Sequence, residues 1–301
     1  PCRRGWKTPC ADHSLVGDNT ETRSMTGSTG TARTDHPFTQ AEIDGFHKDG
    51  YVIKRGLFSA EEVKHLNQTV NEDPKIKEAV YGLADKSGAT TELALWHHLG
   101  DDMFAAVARS RRIVDNLETV MGGEMAFFHS KLTLKRPKVG GAWEWHQDYG
   151  YWYRNGYLFP HMASVFIALD PSTKENGCLQ VIKGSHHLGR IEHGVEAGQV
   201  GADTLYVEQA QKRLETVFAE MQPGDALFFH SNTLHASSAN TSDRTRNVLL
   251  CCYNRADNPP FMDKPNNGHT PIEKLDDGRV MSYANKPLDA ERPFDRAMVQ
   301  A

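Results

Sequence analysis

Apolar residues recur at helical spacing in two segments near the start of the chain. In "FTQAEIDGFHKDGY" Thr39 precedes Glu42 by three positions, and in "FSAEEVKHLNQTV" Ser59 precedes Glu62 in the same way. This spacing is that of a capping box, in which the two side chains satisfy free backbone N–H groups at a helix start. The pattern predicts a helix after each pair, with a short strand, "GYVIKRG", between them. A third apolar face predicts one helix over residues 102–120.

After residue 122 the pattern changes to short runs rich in aromatic and β-branched residues. Examples are "EMAFFHSKLTLKRP", "HMASVFIALD", "DALFFHS" and "RNVLLCCYN", separated by turn-forming pieces such as "KVGG", "QPGD" and "SANTSD". Such spacing indicates an antiparallel β-sandwich or barrel. We therefore predict a mainly β fold with flanking α-helices. It would form one domain over 35–301, with a β core at about 122–254, a partly helical insert at 188–220 and loops over 255–301.

Residues 1–34 differ from the rest of the chain in composition. They are rich in Ser, Thr, Gly and charged residues. Such a segment cannot bury enough apolar surface to order itself, so we expect it to be disordered. Because the sequence begins at Pro1, we hypothesise that Met25 is the native start and that residues 1–24 are upstream or added sequence.

The overall composition excludes several classes of function. The chain has 301 residues, 39% of them hydrophobic and 24% charged, and a formal net charge of -5. This balance provides no basic surface for nucleic acid, and no apolar run is long enough to cross a bilayer. The five cysteines are an odd number without a C-x-x-C pair, which favours a reduced, cytoplasmic protein. We expect a small-molecule substrate and neither a nucleic-acid nor a membrane partner.

The stretch "WEWHQDYGYWYRNG" carries the clearest candidate chemistry. On an extended strand alternate residues share a face, so His146 and Asp148 point one way and Gln147 the other. An imidazole and a carboxylate are two of the three ligands in the 2-His-1-carboxylate triad that binds non-haem Fe(II) and leaves open positions. The pair alone is common by chance, so the prediction depends on a second histidine.

Two histidines follow the turn "QPGD". His230 lies in the strand "ALFFHS", and His235 lies in the loop after it. We favour His235 as the ligand because Ser237 can share its face and because Arg246 opens the next strand, which we expect to pair beside His235. A fixed guanidinium suits bidentate recognition of a carboxylate. His230 remains the alternative ligand.

Taken together, these residues resemble the phytanoyl-CoA dioxygenase superfamily of Fe(II)/2-oxoglutarate oxygenases. Three further segments resemble parts of that family: "FTQAEIDGFHKDGYVI", "IALDPSTKENGCLQVIKGSH" and "MQPGDALFFHSNTLHASSANTSDRTRN". The likeness spans roughly residues 36–254. It implies a double-stranded β-helix, which is a jelly roll with flanking helices, in agreement with the strand pattern.

The resemblance also implies the cofactors and their ligands. By it, His146, Asp148 and His235 bind Fe(II) and are the catalytic centre, and Arg246 with Ser237 binds the far carboxylate of 2-oxoglutarate. O2 is then the second cosubstrate. Family members that halogenate lack the carboxylate ligand, so the presence of Asp148 implies oxygenation, with hydroxylation as the expected outcome.

The strand before the HxD turn carries further candidates. By the resemblance, Thr133 falls where a family member has a polar residue close to the cosubstrate, and His129 falls where that member has a glutamine in the pocket. We therefore expect Thr133 near 2-oxoglutarate and His129 near the substrate. For Lys131 and Lys135, an exposed position on the strand is an equal alternative to a role in the site.

The aromatic residues around the HxD turn divide into two groups. Tyr149, Tyr151, Trp152 and Tyr153 follow the turn, where the chain must pass the metal, and four aromatic side chains in a row are a costly surface unless covered. We expect at least one of them, with Trp152 favoured, to line a substrate pocket that stacks a ring or holds a cationic amine. We expect Trp143 and Trp145 to pack in the core or against a helix rather than contact the substrate.

These observations lead to one expected function and three alternatives. We expect an Fe(II)/2-oxoglutarate-dependent dioxygenase that hydroxylates an unactivated C–H bond of a small polar metabolite or natural-product intermediate, with release of succinate and CO2. The alternatives are the same chemistry on an acyl-CoA or lipid, an oxidative cyclisation or desaturation, and a non-catalytic metal-binding jelly roll.

Overall fold

The computed structural model describes residues 34–196, 199–264 and 267–289, together with Phe294. The hypothesis about Met25 lies outside the described residues. Of the segment expected to be disordered, only Thr34 is described; its N–H and hydroxyl groups donate hydrogen bonds to Asp115 and Asp277. All described residues belong to one compact unit.

Seven α-helices and fourteen strands are present among the described residues. The helices are α1 (Gln40–Asp49), α2 (Ala60–Glu72), α3 (Pro74–Ala79), α4 (Met103–Arg109), α5 (Arg111–Met121), α6 (Asp148–Trp152) and α7 (Thr204–Arg213). The strands are β1 (Tyr51–Lys54), β2 (Tyr81–Ala84), β3 (Thr90–Trp96), β4 (Met125–Lys135), β5 (Trp143–His146), β6 (Met162–Ala168), β7 (Leu179–Ile182), β8 (His193–Glu196), β9 (Gln199–Ala202), β10 (Thr216–Ala219), β11 (Ala226–His230), β12 (His235–Ser237), β13 (Arg246–Arg255) and β14 (Thr270–Pro271).

The two predicted capping boxes are confirmed. The Thr39 side chain accepts from the backbone N–H of Glu42, and the Glu42 carboxylate accepts from the backbone N–H of Thr39, at the start of α1. Ser59 and Glu62 make the same reciprocal pair before α2. Each box satisfies donors that a helix start leaves free, so both helices begin where the sequence places them. The predicted short strand between them is β1.

The prediction of one helix over residues 102–120 is wrong. The structure has α4 and α5, separated at Ser110, whose backbone is extended at φ -64 and ψ 139. The Ser110 hydroxyl donates to the carbonyl of Val107, and the N–H of Arg111 donates to the carbonyl of Leu275. The break therefore depends on the C-terminal tail, which the local apolar pattern does not record. No element was predicted for residues 74–96, where α3, β2 and β3 lie.

Two antiparallel sheets form the predicted jelly roll. The larger sheet has the order β1-β11-β6-β13-β4-β3-β2, with β14 added to β4, and the smaller has the order β10-β7-β12-β5. An apolar cluster packs between them, with Phe166 and Val248 from the larger sheet and Val181 from the smaller. The helices α1, α2, α4 and α5 cover the outer face of the larger sheet through a second cluster. This double-stranded β-helix is the predicted fold class.

The insert and the tail both contain regular structure. The insert forms the hairpin β8–β9, the helix α7 and the strand β10, which pairs with β7. The tail adds β14 to the larger sheet and a 3₁₀ helix at Asp277–Tyr283. Of the helices that the structure describes, none is long and apolar enough to cross a membrane.

Candidate active site

Strand pairing brings the two proposed histidine ligands together. His146 ends β5 and His235 begins β12, and the two residues are direct partners in this antiparallel pair. The expectation that His146 and Asp148 share a strand is wrong, because Asp148 is the first residue of α6. The backbone of Gln147 is extended at φ -113 and ψ 133, and the turn that follows still brings the Asp148 carboxylate to the two imidazoles.

Backbone carbonyls set the orientation of both imidazole rings. His146 Nδ1 lies 2.7 Å from the carbonyl oxygen of Glu144, and His235 Nδ1 lies 2.8 Å from that of Thr233. A carbonyl only accepts, so each Nδ1 carries a proton and each Nε2 of the neutral ring presents its lone pair. The Nε2 atoms of His146 and His235 lie 3.9 and 3.7 Å from Asp148 Oδ1.

This group fits a divalent metal ion. Two lone pairs and one carboxylate oxygen converge in a buried space, and the three ligand atoms lie within 4.8 Å of one another. Burial lowers the pKa of His146 well below its usual range and also lowers the pKa of His235, so both rings are neutral, as metal ligands must be. Acceptors that face one another without a donor are unfavourable until a cation lies between them. No other trio of His, Cys, Asp or Glu in the described part of the chain is so arranged.

A buried serine orients the carboxylate. The Ser164 hydroxyl donates a hydrogen bond of 2.6 Å to Asp148 Oδ2, and its oxygen lies 3.4 Å from Cys252 Sγ. Oδ2 is thereby occupied, which leaves Oδ1 directed at the imidazoles. No signal in the sequence marked Ser164, because it lies on β6 and reaches Asp148 only through the fold.

Gln147 points away from the metal ligands, as expected. Its side-chain amide donates to the carbonyls of Gly189 and Asn232 and accepts from the N–H of Ile191. These bonds attach the turn of the HxD motif to two neighbouring loops. The motif is therefore held from the side opposite the site.

The structure does not bring His230 to this group. The Nδ1 atom of His230 accepts a hydrogen bond from the N–H of Asn232, and its ring lies 5.6 Å from that of His186. His230 ends β11 in the larger sheet, whereas His235 lies on β12 in the smaller one.

Two cavities meet at the candidate metal site. The first, here called the aromatic cavity, has a volume of about 690 Å³, part of it open to solvent, and is lined by Tyr81, Leu83, Leu93, Leu95, His129, Lys131, Trp143, His146, Asp148, Tyr151, Trp152, Gln199 and Val200. The second, the basic cavity, has a volume of about 460 Å³ and is lined by Thr91, Lys131, Thr133, Lys135, Trp143, His146, Phe166, Leu179, Phe229, His235, Ala236, Ser237, Arg246 and Leu250.

Arg246 is the candidate anion-binding group of the basic cavity. It is 2% exposed, its Nε has no hydrogen-bond partner, and no carboxylate of the described residues forms an ion pair with it. Burial lowers the pKa of its guanidinium to about 10, which leaves it charged at neutral pH. The expected pairing of its strand beside His235 is wrong. β13 pairs with β4 and β6, so Arg246 reaches the cavity from the other sheet.

Lys135 lies beside Arg246 in the same cavity. The two are direct partners in the β4–β13 pair, and Lys135 is 1% exposed, so the alternative of an exposed position is wrong for it. Its ammonium donates to Ser237 Oγ, at 2.8 Å, and to the carbonyl of Ser238. The hydroxyl of Thr133 also lines this cavity and has no hydrogen-bond partner in the structure. Ser237 and Thr133 thus line the same cavity as Arg246.

One face of β4 runs along both cavities. His129, Lys131, Thr133 and Lys135 occupy alternate positions, and all four line one cavity or both. Alternate residues of a strand share a face. The polar residue at every second position of this strand could therefore have predicted that Lys131 and Lys135 face the site.

The aromatic residues are distributed differently from the expectation. Tyr151 and Trp152 line the aromatic cavity, together with Trp143, whose expected place in the core is wrong. Trp145, as expected, packs against a third apolar cluster, which includes side chains of α7. Tyr149 does not line the cavity, because its buried ring turns away and its hydroxyl donates to the carbonyls of residues 157 and 158.

A jelly roll with a buried His-x-Asp…His group is the architecture of non-haem metal oxygenases. The chain belongs to the phytanoyl-CoA dioxygenase (PhyH) family, whose model matches residues 46–248. It is 30% identical over 267 residues to an L-proline trans-4-hydroxylase of Streptomyces griseoviridis, covering 81% of this chain and 98% of that protein. It is 25% identical over 246 residues to an ectoine dioxygenase of Stutzerimonas stutzeri, covering 76% of this chain and 82% of that protein.

A solved crystal structure has the same fold. EctD from S. alaskensis in its apo form matches with a TM-score of 0.65 and 22% identity, over 80% of this chain and 89% of that one. Other structures of the same protein hold Fe, or 2-oxoglutarate with 5-hydroxyectoine. At this identity the likeness establishes the cupin-like jelly roll.

Proposed function

We propose that this protein is an Fe(II)/2-oxoglutarate-dependent dioxygenase that hydroxylates a C–H bond of a small polar metabolite or natural-product intermediate. The observation that carries the proposal is the pairing of two features in one buried space. A His-Asp-His group that fits a metal ion lies beside a buried guanidinium, Arg246, that lacks an ion-pair partner among the described residues.

The candidate metal ligands and the apolar residues around them would have separate roles. His146, Asp148 and His235 would hold Fe(II), and a ligand set of this kind leaves coordination positions open for the cosubstrates. When bound, the iron supplies the activation of O2 that couples decarboxylation of 2-oxoglutarate to succinate with oxidation of the substrate. Four lining residues of the basic cavity belong to the buried apolar cluster between the sheets and would limit the access of bulk water from that side: Phe166, Leu179, Phe229 and Leu250.

Arg246 would bind the far carboxylate of 2-oxoglutarate. A planar guanidinium donates two parallel hydrogen bonds to a carboxylate, and burial strengthens the attraction. The unpartnered hydroxyl of Thr133 can donate to the same carboxylate, while Ser237 is held in place by Lys135. The basic cavity thereby suits a dicarboxylate that bridges the metal and Arg246.

The substrate would occupy the aromatic cavity. His129, Tyr151 and Trp152 line it together with His146 and Asp148, so a molecule there would contact His129, Tyr151 and Trp152. The relatives that the chain resembles act on proline and ectoine, which are both small and polar, and this supports a substrate of similar size. The cysteines among the described residues are free thiols, which supports the expectation that the protein acts in the cytoplasm.

An anaerobic titration tests the proposal. Apoprotein is loaded with Fe(II) and then titrated with 2-oxoglutarate while the weak visible charge-transfer band of the chelate is recorded. We expect a saturable band in the wild type and about 100-fold weaker 2-oxoglutarate binding in Arg246→Ala, because loss of one partner of a buried charge pair costs about 2–5 kcal/mol.

Arg255→Ala is the matched control. Arg255 lies at the other end of β13 and pairs with Asp257 outside the cavities, so its loss should leave the titration unchanged. Addition of O2 should then yield succinate. Absence of a band from metal-loaded wild-type protein would overturn the proposal.

A further inference from the structure

We propose that Lys131 binds a carboxylate of the substrate, so that the substrate is a small carboxylic acid with an apolar or cyclic body. This inference rests on the proposed function and adds the substrate class to it. The structure points to Lys131 through its position between the two cavities, its lack of an anionic partner and the aromatic wall beside it.

Lys131 lies on the cavity-facing side of β4, between His129 and Thr133. It lines both the aromatic and the basic cavity, as Trp143 and His146 also do. Its ammonium group lies 5.7 Å from the centre of the Trp143 ring. The Lys131 ammonium group therefore lies where the two cavities adjoin the candidate metal site.

The Lys131 ammonium has no hydrogen-bond acceptor or carboxylate among the described residues, although the residue is only partly exposed. Other partly buried lysines of this protein are paired. Lys54 lies 2.9 Å from the Glu42 carboxylate, and Lys274 lies 2.8 Å from that of Asp115. A partly buried cation without an anion is costly, so an anionic ligand would gain more here than at the surface.

Charge balance assigns that anion to the substrate rather than to 2-oxoglutarate. In the proposed complex the charges of Fe(II) and Arg246 are offset by Asp148 and by the two carboxylates of 2-oxoglutarate. Lys131 stays uncompensated in that count, and so does Lys135, but the ammonium group of Lys135 is already held by the Ser237 hydroxyl and the carbonyl of Ser238. Gln199, a further polar side chain of the aromatic cavity, is occupied, because its amide bonds to the backbone at Ala84, Ala142 and Glu144.

The walls around Lys131 define the rest of the molecule. Trp143, Tyr151 and Trp152 present aromatic surfaces to the aromatic cavity. Such surfaces pack against an apolar ring and also attract an amino group carried by the same molecule. A cyclic amino acid combines these features.

Matched acids and amides test the proposal by binding rather than by turnover. Anaerobic protein loaded with Fe(II) and 2-oxoglutarate is titrated by calorimetry with L-proline or L-prolinamide, and with cyclohexanecarboxylate or cyclohexanecarboxamide. The proteins are the wild type, Lys131→Met, Lys131→Arg and the control Lys138→Met. Lys138 is an exposed lysine that pairs with Asp243 outside the cavities.

We expect at least one acid to bind about tenfold or more tightly than its amide in the wild type and in Lys138→Met. The preference should vanish in Lys131→Met and return in part in Lys131→Arg. The inference is overturned if no acid binds better than its amide, or if the preference survives in Lys131→Met. It is also overturned if Lys131→Met instead weakens the 2-oxoglutarate titration, since the cation then serves the cosubstrate. Loss of the chelate band in the wild type would be a failure of the proposed function and not of this inference alone.

Discussion

At the scale of single residues, one hydroxyl group orients the Asp148 carboxylate in the candidate metal site. Ser164 is fully buried and donates to Oδ2, while Oδ1 faces the imidazoles of His146 and His235. A hydrogen bond to an ionised carboxylate is stronger than one between neutral groups. Ser164 is therefore a positioning residue that presents a single oxygen of Asp148.

Replacement of this hydroxyl should weaken metal binding without unfolding the protein. In Ser164→Ala we expect the Kd for Mn(II), a spectroscopic substitute for Fe(II), to rise by about 10- to 100-fold, the usual effect of losing a group that orients a metal ligand. Calorimetry or electron paramagnetic resonance measures this Kd. The matched control is Ser130→Ala, because Ser130 is also buried but its hydroxyl has no partner in the structure. Equal Mn(II) affinity in the two variants would contradict the role of Ser164.

At the scale of elements, a buried arginine joins two helices and the C-terminal tail. Arg112 on α5 makes bonds of 3.0 and 3.1 Å to the carboxylate of Glu62 on α2. It also donates to the backbone carbonyls of Leu57 and Asp277. Glu62 also caps the start of α2, so the starts of α2 and α5 and the C-terminal tail are held together by one charged group.

Removal of this arginine should destabilise the protein strongly. In Arg112→Met we expect the free energy of unfolding to fall by about 3–5 kcal/mol, because buried carboxylates lose their counter-charge. Urea denaturation followed by circular dichroism gives the value. Arg111→Met is the control, because Arg111 pairs with the more exposed Asp276. Such exposed pairs contribute about 1 kcal/mol or less to stability. A similar fall in the free energy of unfolding in both variants would contradict a special contribution of the Arg112 contacts to stability.

At the scale of the whole molecule, the site joins the two sheets. The histidine ligands lie on β5 and β12 of the smaller sheet, whereas Arg246 lies on β13 of the larger one. In the proposed complex, 2-oxoglutarate reaches from the metal to Arg246 and so connects the sheets. Ligand binding should therefore raise the stability of the whole fold.

Thermal unfolding tests this connection. We expect Mn(II) to raise Tm, and 2-oxoglutarate to raise it further only when metal is present; a ligand at about 100 times its Kd adds about 2.7 kcal/mol. A chelator should reverse both effects. His235→Ala should lose both, and Arg246→Ala should lose only the second. A shift caused by 2-oxoglutarate in metal-free protein would contradict the bridging geometry.

The sequence by itself determined the features that depend on neighbours along the chain. The caps at Thr39 and Ser59 are local, since their partners lie three residues away. The strand pattern indicated an antiparallel β-sandwich or barrel, the family resemblance implied the jelly roll, and His146-x-Asp148 placed two ligand types close together in the sequence. The motif set that resembled the PhyH family then identified His235 and Arg246.

Only the tertiary structure decided which strands are neighbours and what is buried between them. Arg246 lies on the sheet opposite His235, and Ser164 contacts Asp148. Trp143 lines the cavities instead of packing in the core. These contacts join residues far apart in the chain, through strand register and the exclusion of water. A hydroxyl or an indole looks the same in the sequence whether it meets a metal ligand or the core, so its surroundings decide its role.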